Sequence, residues 1–85
     1  MNYFVYLLVS FSIKNKVISY VGYTNNLNKR LELHNKSKGA KFTKGKKWKI
    51  IYSKKYSTKS IAMKEEYLLK KDLKKRNIIK HKFIK

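Results

Sequence analysis

Eighty-five residues, 42% of them hydrophobic and none of them cysteine, leave room for one small core and exclude a disulfide framework or a thiolate zinc site. Twenty-three Lys and Arg against four acids give a net charge of +19, which makes polyanions the natural partners; a gene rich in Lys, Ile, Asn and Tyr codons explains the choice of Lys over Arg but not the scarcity of acids. The expectation is a single domain over residues 1–85 in the cytoplasm, with no membrane partner, because the apolar run at residues 3–9 falls far short of the roughly 20 residues that span a bilayer.

Residues 3–9 and 17–22 are β-branched and aromatic, and the polar Lys14-Asn15-Lys16 stretch between them predicts a hairpin. The unbroken apolarity of the first run predicts burial on both faces, with a helix on at least one. Thr24 or Asn25 offers an N-cap for a helix over residues 26–37, where Leu27, Arg30, Leu31 and His34 recur at helical spacing. Residues 38–47, with Gly39, Gly45 and five lysines, read as a basic loop. Residues 48–56 return to strand composition. Ser57, Thr58 or Ser60 can then cap a helix over residues 59–76, and the tail at 78–85 is either a short helix or a strand. The order β-β-α-β-α predicts an α+β fold: a small antiparallel three-stranded sheet with helices packed on its faces.

Chemistry concentrates in a few positions. Arg30 and His34 stand one helical turn apart beside the Leu27 and Leu31 stripe, whereas Glu32 points away; Arg30 is one of only two arginines, and its planar fork suits a phosphate. On the second helix, Glu66 shares a stripe with Ala62, Leu69 and Leu73, and Glu65 shares the neighbouring one with Ile61 and Leu68, so periodicity does not separate them. A half-buried carboxylate in so basic a chain is either neutralised by a nearby Lys or holds a metal ion. Phe4, Tyr6 and Leu8 share one face of the first strand, and Ile18, Tyr20 and Gly22 one face of the second; register decides whether they meet, and if Tyr6 sits nearly opposite Tyr20 the two phenols lie side by side, with Gly22 leaving the adjacent backbone open to a substrate.

Several segments in order resemble the GIY-YIG nuclease superfamily, in particular its small stand-alone members of the YhbQ and UPF0213 type. Phe4-Val5-Tyr6 and Tyr20-Val21-Gly22 stand at the two tripeptide motifs, with Phe4 where the first motif has Gly. Residues 23–35, carrying Arg30 and His34, are similar to the family's first helix. Lys38-Gly39-Ala40-Lys41-Phe42-Thr43-Lys44-Gly45 is similar to its basic loop, and Ser60-Ile61-Ala62-Met63-Lys64-Glu65-Glu66 to the segment that presents a glutamate. The resemblance covers residues 3–76.

The resemblance implies hydrolysis of DNA phosphodiesters with one divalent cation, Mg²⁺ or alternatively Mn²⁺, in DNA repair or processing. Family position favours Glu66 over Glu65 as the metal ligand. Arg30 would then stabilise charge building on the phosphate, Tyr6 would accept a proton, and Tyr20 would place the nucleophile or the scissile group. For Tyr6 to act near neutral pH, the surrounding cations are expected to depress its phenol pKa. His34 is open between proton shuttle and phosphate ligand.

Two lysine clusters, Lys38, Lys41, Lys44, Lys46, Lys47 and Lys49, then Lys70, Lys71, Lys74 and Lys75, are expected to track nucleic-acid phosphates without reading bases. Phe42, among the first cluster, is expected to pack on the sheet, with stacking on an unpaired base as the other option. The substrate expected is DNA, branched or single-stranded, with RNA as a second polyanion. Two other classes fit the charge: a DNA- or RNA-binding module without turnover, and a small ribosome-associated structural protein.

Overall fold

Alternation along the first strand decides the layering. In the computed structural model, which describes residues 2–11, 16–39 and 41–84, strand β1 spans Tyr3–Phe11, β2 Val17–Thr24 and β3 Lys49–Tyr56. They form one antiparallel sheet in the order β2-β1-β3. The central strand is buried continuously from Val5 to Ser10, as its lack of polar alternation requires. Of the predicted turn, Lys14 and Asn15 lie outside the described residues, as do Ala40 of the basic loop and Lys85 of the tail.

The two faces carry different cores. Val5 and Leu7 of β1 join Val21 of β2 beneath Ala62 and Leu69 of helix α2 (Lys59–Lys71), with Ile79 of helix α3 (Leu73–Ile84) packed alongside. On the other face, Tyr6 and Leu8 meet Trp48, Ile18, Tyr20 and Ile50, together with Leu27 and Leu31 of helix α1 (Leu27–Asn35). Each large aliphatic side chain buried this way contributes roughly 1.5–3 kcal/mol. Between Leu7 and Leu8 the register to β3 slips, from Leu7 opposite Tyr52 to Leu8 opposite Ile50. That irregularity lets Ile51 and Tyr52 both join the core on the α2 side.

Local chemistry sets the helix ends. The cap of α1 is Asn26, just beyond the expected Thr24 or Asn25, with its side chain accepting from Lys29 N at 3.1 Å. Thr24 instead turns the preceding chain, its hydroxyl accepting from Asn26 N at 3.2 Å. The helix stops at Asn35, earlier than predicted, because Ser37 takes the left-handed conformation (φ 60°) and Lys38 N donates back to Leu33 O at 2.8 Å. The basic loop also holds a 3₁₀ turn over Lys41–Thr43.

The second predicted helix is two helices. Thr58 caps α2 through Ile61 N, and the chain leaves helical geometry at Asp72 (ψ 77°). Asp72 then caps α3 by accepting from Lys75 N at 3.0 Å. The corner is held by Arg76, which donates from Nε to Leu69 O at 3.2 Å and from Nη2 to Lys70 O at 3.0 Å. The tail, ambiguous in sequence, is helical as part of α3.

Candidate functional site

The register puts Tyr6 opposite Gly22 and Tyr20 opposite Leu8, so the two tyrosines are diagonal neighbours on one face and not directly paired. Gly22 therefore has a different use from the one expected. A Cβ there would fall 2.6 Å from Tyr6 Cζ, so the space above this glycine is occupied by the Tyr6 ring and is not open to a substrate. Gly39 does the same for His34, since a Cβ would approach the imidazole Cγ and Cε1 to 2.9 Å.

Helix α1 crosses this face and points Arg30 and His34 at the phenol. Tyr6 Oη lies 2.9 Å from His34 Nε2, Arg30 Nε donates to the same oxygen at 3.4 Å, and His34 Nδ1 lies 2.8 Å from Thr43 Oγ1. Arginine can only donate, so the phenol hydrogen is matched when it points to Nε2, which makes Nδ1–H the donor to Thr43. Tyr6, His34 and Thr43 are all almost fully buried. Thr43 is fixed in turn by Trp48, whose indole Nε1 donates to Thr43 O at 3.0 Å while its backbone N donates to Asn35 Oδ1. The Tyr20 ring stands 5.2 Å from the imidazole.

Burial dominates the electrostatics. It raises the Tyr6 phenol above its usual value although the Arg30 hydrogen bond and charge pull the other way, contrary to the expectation that cations would depress it. Burial, with the Arg30 charge second, lowers His34 and keeps the imidazole neutral. With both ring nitrogens engaged and the ring wholly buried, His34 has no nitrogen to offer a phosphate.

Glu66 arrives from the opposite layer, on the α2 stripe of Ala62 and Leu69. Its side chain is only 17% exposed and pairs with Lys70 at 3.5 Å, while its charge contributes to raising Tyr6. Glu65 instead addresses Tyr56, whose phenol is raised first by burial and then by that carboxylate. Among the described residues no three His, Cys, Asp or Glu side chains gather as a metal cluster. A cleft of about 430 Å³ opens beside Arg30, lined also by Tyr3, Tyr23, Thr24, Asn25 and Lys59.

The lysine clusters divide between layers. Lys38, Lys41, Lys44, Lys46 and Lys47 are exposed around the 3₁₀ turn next to His34, whereas Lys49 lies 5.4 Å over Phe83 of α3. Lys70, Lys71, Lys74 and Lys75 are exposed on the α2–α3 side, with Lys71 over Tyr67 and Lys75 over Tyr52. Sequence reasoning passed over Thr43, Trp48, Tyr23 and Lys59. Only Thr43 carried a signal, as the hydroxyl residue inside the family-like loop. No helix among the described residues is long and apolar enough to cross a membrane.

Comparison with known proteins bears on this arrangement. A family model described as the GIY-YIG catalytic domain matches residues 2–80. The UPF0213 protein of Oceanobacillus iheyensis is 52% identical over 52 residues, 60% of each chain. The UPF0213 protein YazA of Bacillus subtilis is 49% identical over 53 residues, 61% of this chain and 54% of that one. The matched stretch thus spans about three fifths or less of these relatives' lengths. The solution structure of a UPF0213 protein from Bacillus halodurans is 29% identical, covering 96% of this chain and 86% of that one at a TM-score of 0.49. Matched over nearly its whole length by that catalytic-domain model, the chain belongs to the GIY-YIG nuclease family.

Proposed function

We propose that the protein is a cytoplasmic, divalent-metal-dependent DNA endonuclease, structure-selective or weakly sequence-specific, working in DNA repair or processing. One observation carries this reading: a buried phenol held between a guanidinium and a neutral imidazole, assembled from β1 and α1, beside a cleft that opens to solvent.

The donor chemistry fits a hard cation. Glu66 supplies one sheltered carboxylate, and Mg²⁺ or Mn²⁺ commonly completes its shell with waters and substrate phosphate, which does not require a cluster of protein ligands. When bound there, the cation supplies charge neutralisation on the phosphate.

The remaining work falls to the chain's own side chains. Arg30, with Lys59 across the cleft, holds the phosphodiester and offsets the charge that builds on its oxygens. Tyr6 Oη takes a proton from the attacking water while its own hydrogen passes to His34 Nε2, and Thr43 steadies the resulting imidazolium through Nδ1–H; as the new P–O bond forms the ester P–O bond breaks, and the departing sugar oxygen takes its proton from solvent in the open cleft. In the resting protein burial first, and the Arg30 charge second, disfavour that imidazolium; a phosphate on Arg30 offsets the second of these and leaves the first in place. Tyr20 flanks the imidazole and holds its plane.

The test is nicking of plasmid and branched DNA. Wild type should cut in Mg²⁺ and stop in EDTA, and Tyr6→Phe, Arg30→Ala and Glu66→Ala should each lose about 10²-fold or more. Binding in EDTA should survive Glu66→Ala and weaken steeply with salt, with a log–log slope of at least about −4. The Glu66–Lys70 ion pair favours a second reading, a non-catalytic DNA- or RNA-binding module in which this carboxylate is structural. Equal residual cutting in all three variants, or none in wild type, selects that reading.

A further inference from the structure

Phe42 leans on the sheet through Tyr20 of β2 but leaves much of its surface open. It is 53% exposed, at the middle of the 3₁₀ turn, although its neighbour Thr43 is fully buried and bonded to His34. Its ring lies nearly parallel to Tyr20, with centroids 6.2 Å apart and planes 20° from each other, and Trp48 stands at 6.2 Å on a tilt. Tyr20 in turn faces His34 at 5.2 Å. The rings of Phe42, Tyr20 and His34 therefore run in a row from solvent to the buried phenol.

A single exposed apolar side chain needs no explanation by itself. Ile61, Met63 and Leu68 are comparably exposed on α2. Phe42 differs because its orientation is fixed by ring contacts, its turn is anchored by a buried hydrogen bond, and its surroundings are cationic. Lys41, Lys44, Lys46 and Lys47 are exposed around it; Lys46 Nζ lies over the ring at 5.6 Å from its centroid and donates to Phe42 O at 3.4 Å, so a base laid on that face displaces this ammonium towards the flanking phosphate. A flat ring set among ammonium groups matches a nucleotide, a flat base joined to a phosphate. Paired bases present their edges, not their faces, so only an unpaired base can lie on the ring.

Resting on the nuclease reading for the identity of the polyanion, we propose that Phe42 is the platform on which an unpaired nucleobase of a DNA strand stacks, next to the site where its phosphodiester is cut. Lys46 and its neighbours hold the flanking phosphates. The preferred substrate then has a single-stranded stretch at the cut.

The experiment measures binding in EDTA, so that it does not depend on turnover, by fluorescence anisotropy of a short labelled oligodeoxyadenylate. Its fully abasic analogue, which keeps the phosphates and lacks the bases, and a duplex of the same length are measured in parallel. Phe42→Ala should weaken binding of the single strand about tenfold, within the range of base–aromatic stacking, and leave the abasic strand and the duplex unchanged. Phe42→Trp should restore the affinity. Phe42→Leu keeps apolar bulk without a π face and should behave like the alanine variant, which separates stacking from loss of the turn. Equal weakening on all three probes, or no change on the single strand, overturns the proposal. Absence of nicking by wild type in Mg²⁺ overturns the nuclease reading alone, because base-dependent binding is read without metal.

Discussion

Replacing Thr43 by Val removes one hydroxyl at constant shape and tests the logic of the buried relay. His34 is fully buried, and its Nδ1 sits 2.8 Å from Thr43 Oγ1. With Val at 43, a buried Nδ1–H has no acceptor, which costs about 1–3 kcal/mol. The imidazole can move its hydrogen to Nε2, but the Tyr6 phenol then faces a donor where it had an acceptor, so the mismatch is transferred and not removed. No cavity forms, and the extra methyl recovers part of the loss. A net destabilisation of about 1–2 kcal/mol follows, which in a domain of this size lowers Tm by roughly 4–16 °C. Thermal unfolding gives the magnitude, and long-range ¹H–¹⁵N spectra of His34 give the tautomer, with Nδ1 protonated in wild type and a shifted population in the variant. Combined with Tyr6→Phe, the two losses should be non-additive, because both bonds belong to one ring. A valine variant melting within about 2 °C of wild type with unchanged imidazole shifts would refute the reasoning.

Other predictions follow from the same geometry. In Gly22→Ala, the added Cβ meets Tyr6 Cζ at 2.6 Å and Cε1 at 3.1 Å, and Tyr6 is too buried to swing out; overpacking should cost about 1–3 kcal/mol, read by thermal melting, and wild-type stability would contradict the close contact. Stability should also depend on pH at two limbs. The folded state holds His34 below its ordinary 6.5, so it binds fewer protons than the unfolded chain; this contribution is complete above that value and is lost as pH falls through the folded one. Tyr6 is held above 10.0, so its contribution is complete below that value and is lost as pH rises through the folded one. An acid limb unchanged in His34→Gln, or an alkaline limb unchanged in Tyr6→Phe, would assign the effect elsewhere. Arg76→Lys cannot reach the carbonyls of Leu69 and Lys70 together, so it should lose about 1 kcal/mol and speed amide exchange in α3; unchanged exchange would show the corner is held otherwise.

Much of the layout was legible because it depends on local periodicity. The apolar run of β1, too continuous for a half-exposed strand, implied the helices that lie on both its faces. Arg30 and His34 share a helix face by spacing alone, and their convergence on Tyr6 was foreseeable through the family resemblance. The break at Asp72 was not legible, since no Pro or Gly marks it and a helical stripe runs through it; a carboxylate cap and the other arginine settle it.

The sequence by itself determined the charge, the strand–helix order and the residue types at the site, because these follow from composition and from the repeat of each element. Tertiary structure alone decided the register that sets Tyr6 over Gly22, the burial that raises the phenol and neutralises His34, the choice of Thr43 as the imidazole's partner, and the exposure of Phe42. Each of these depends on which distant segments come together and how completely water is excluded between them, and a pattern of neighbours along the chain carries neither quantity.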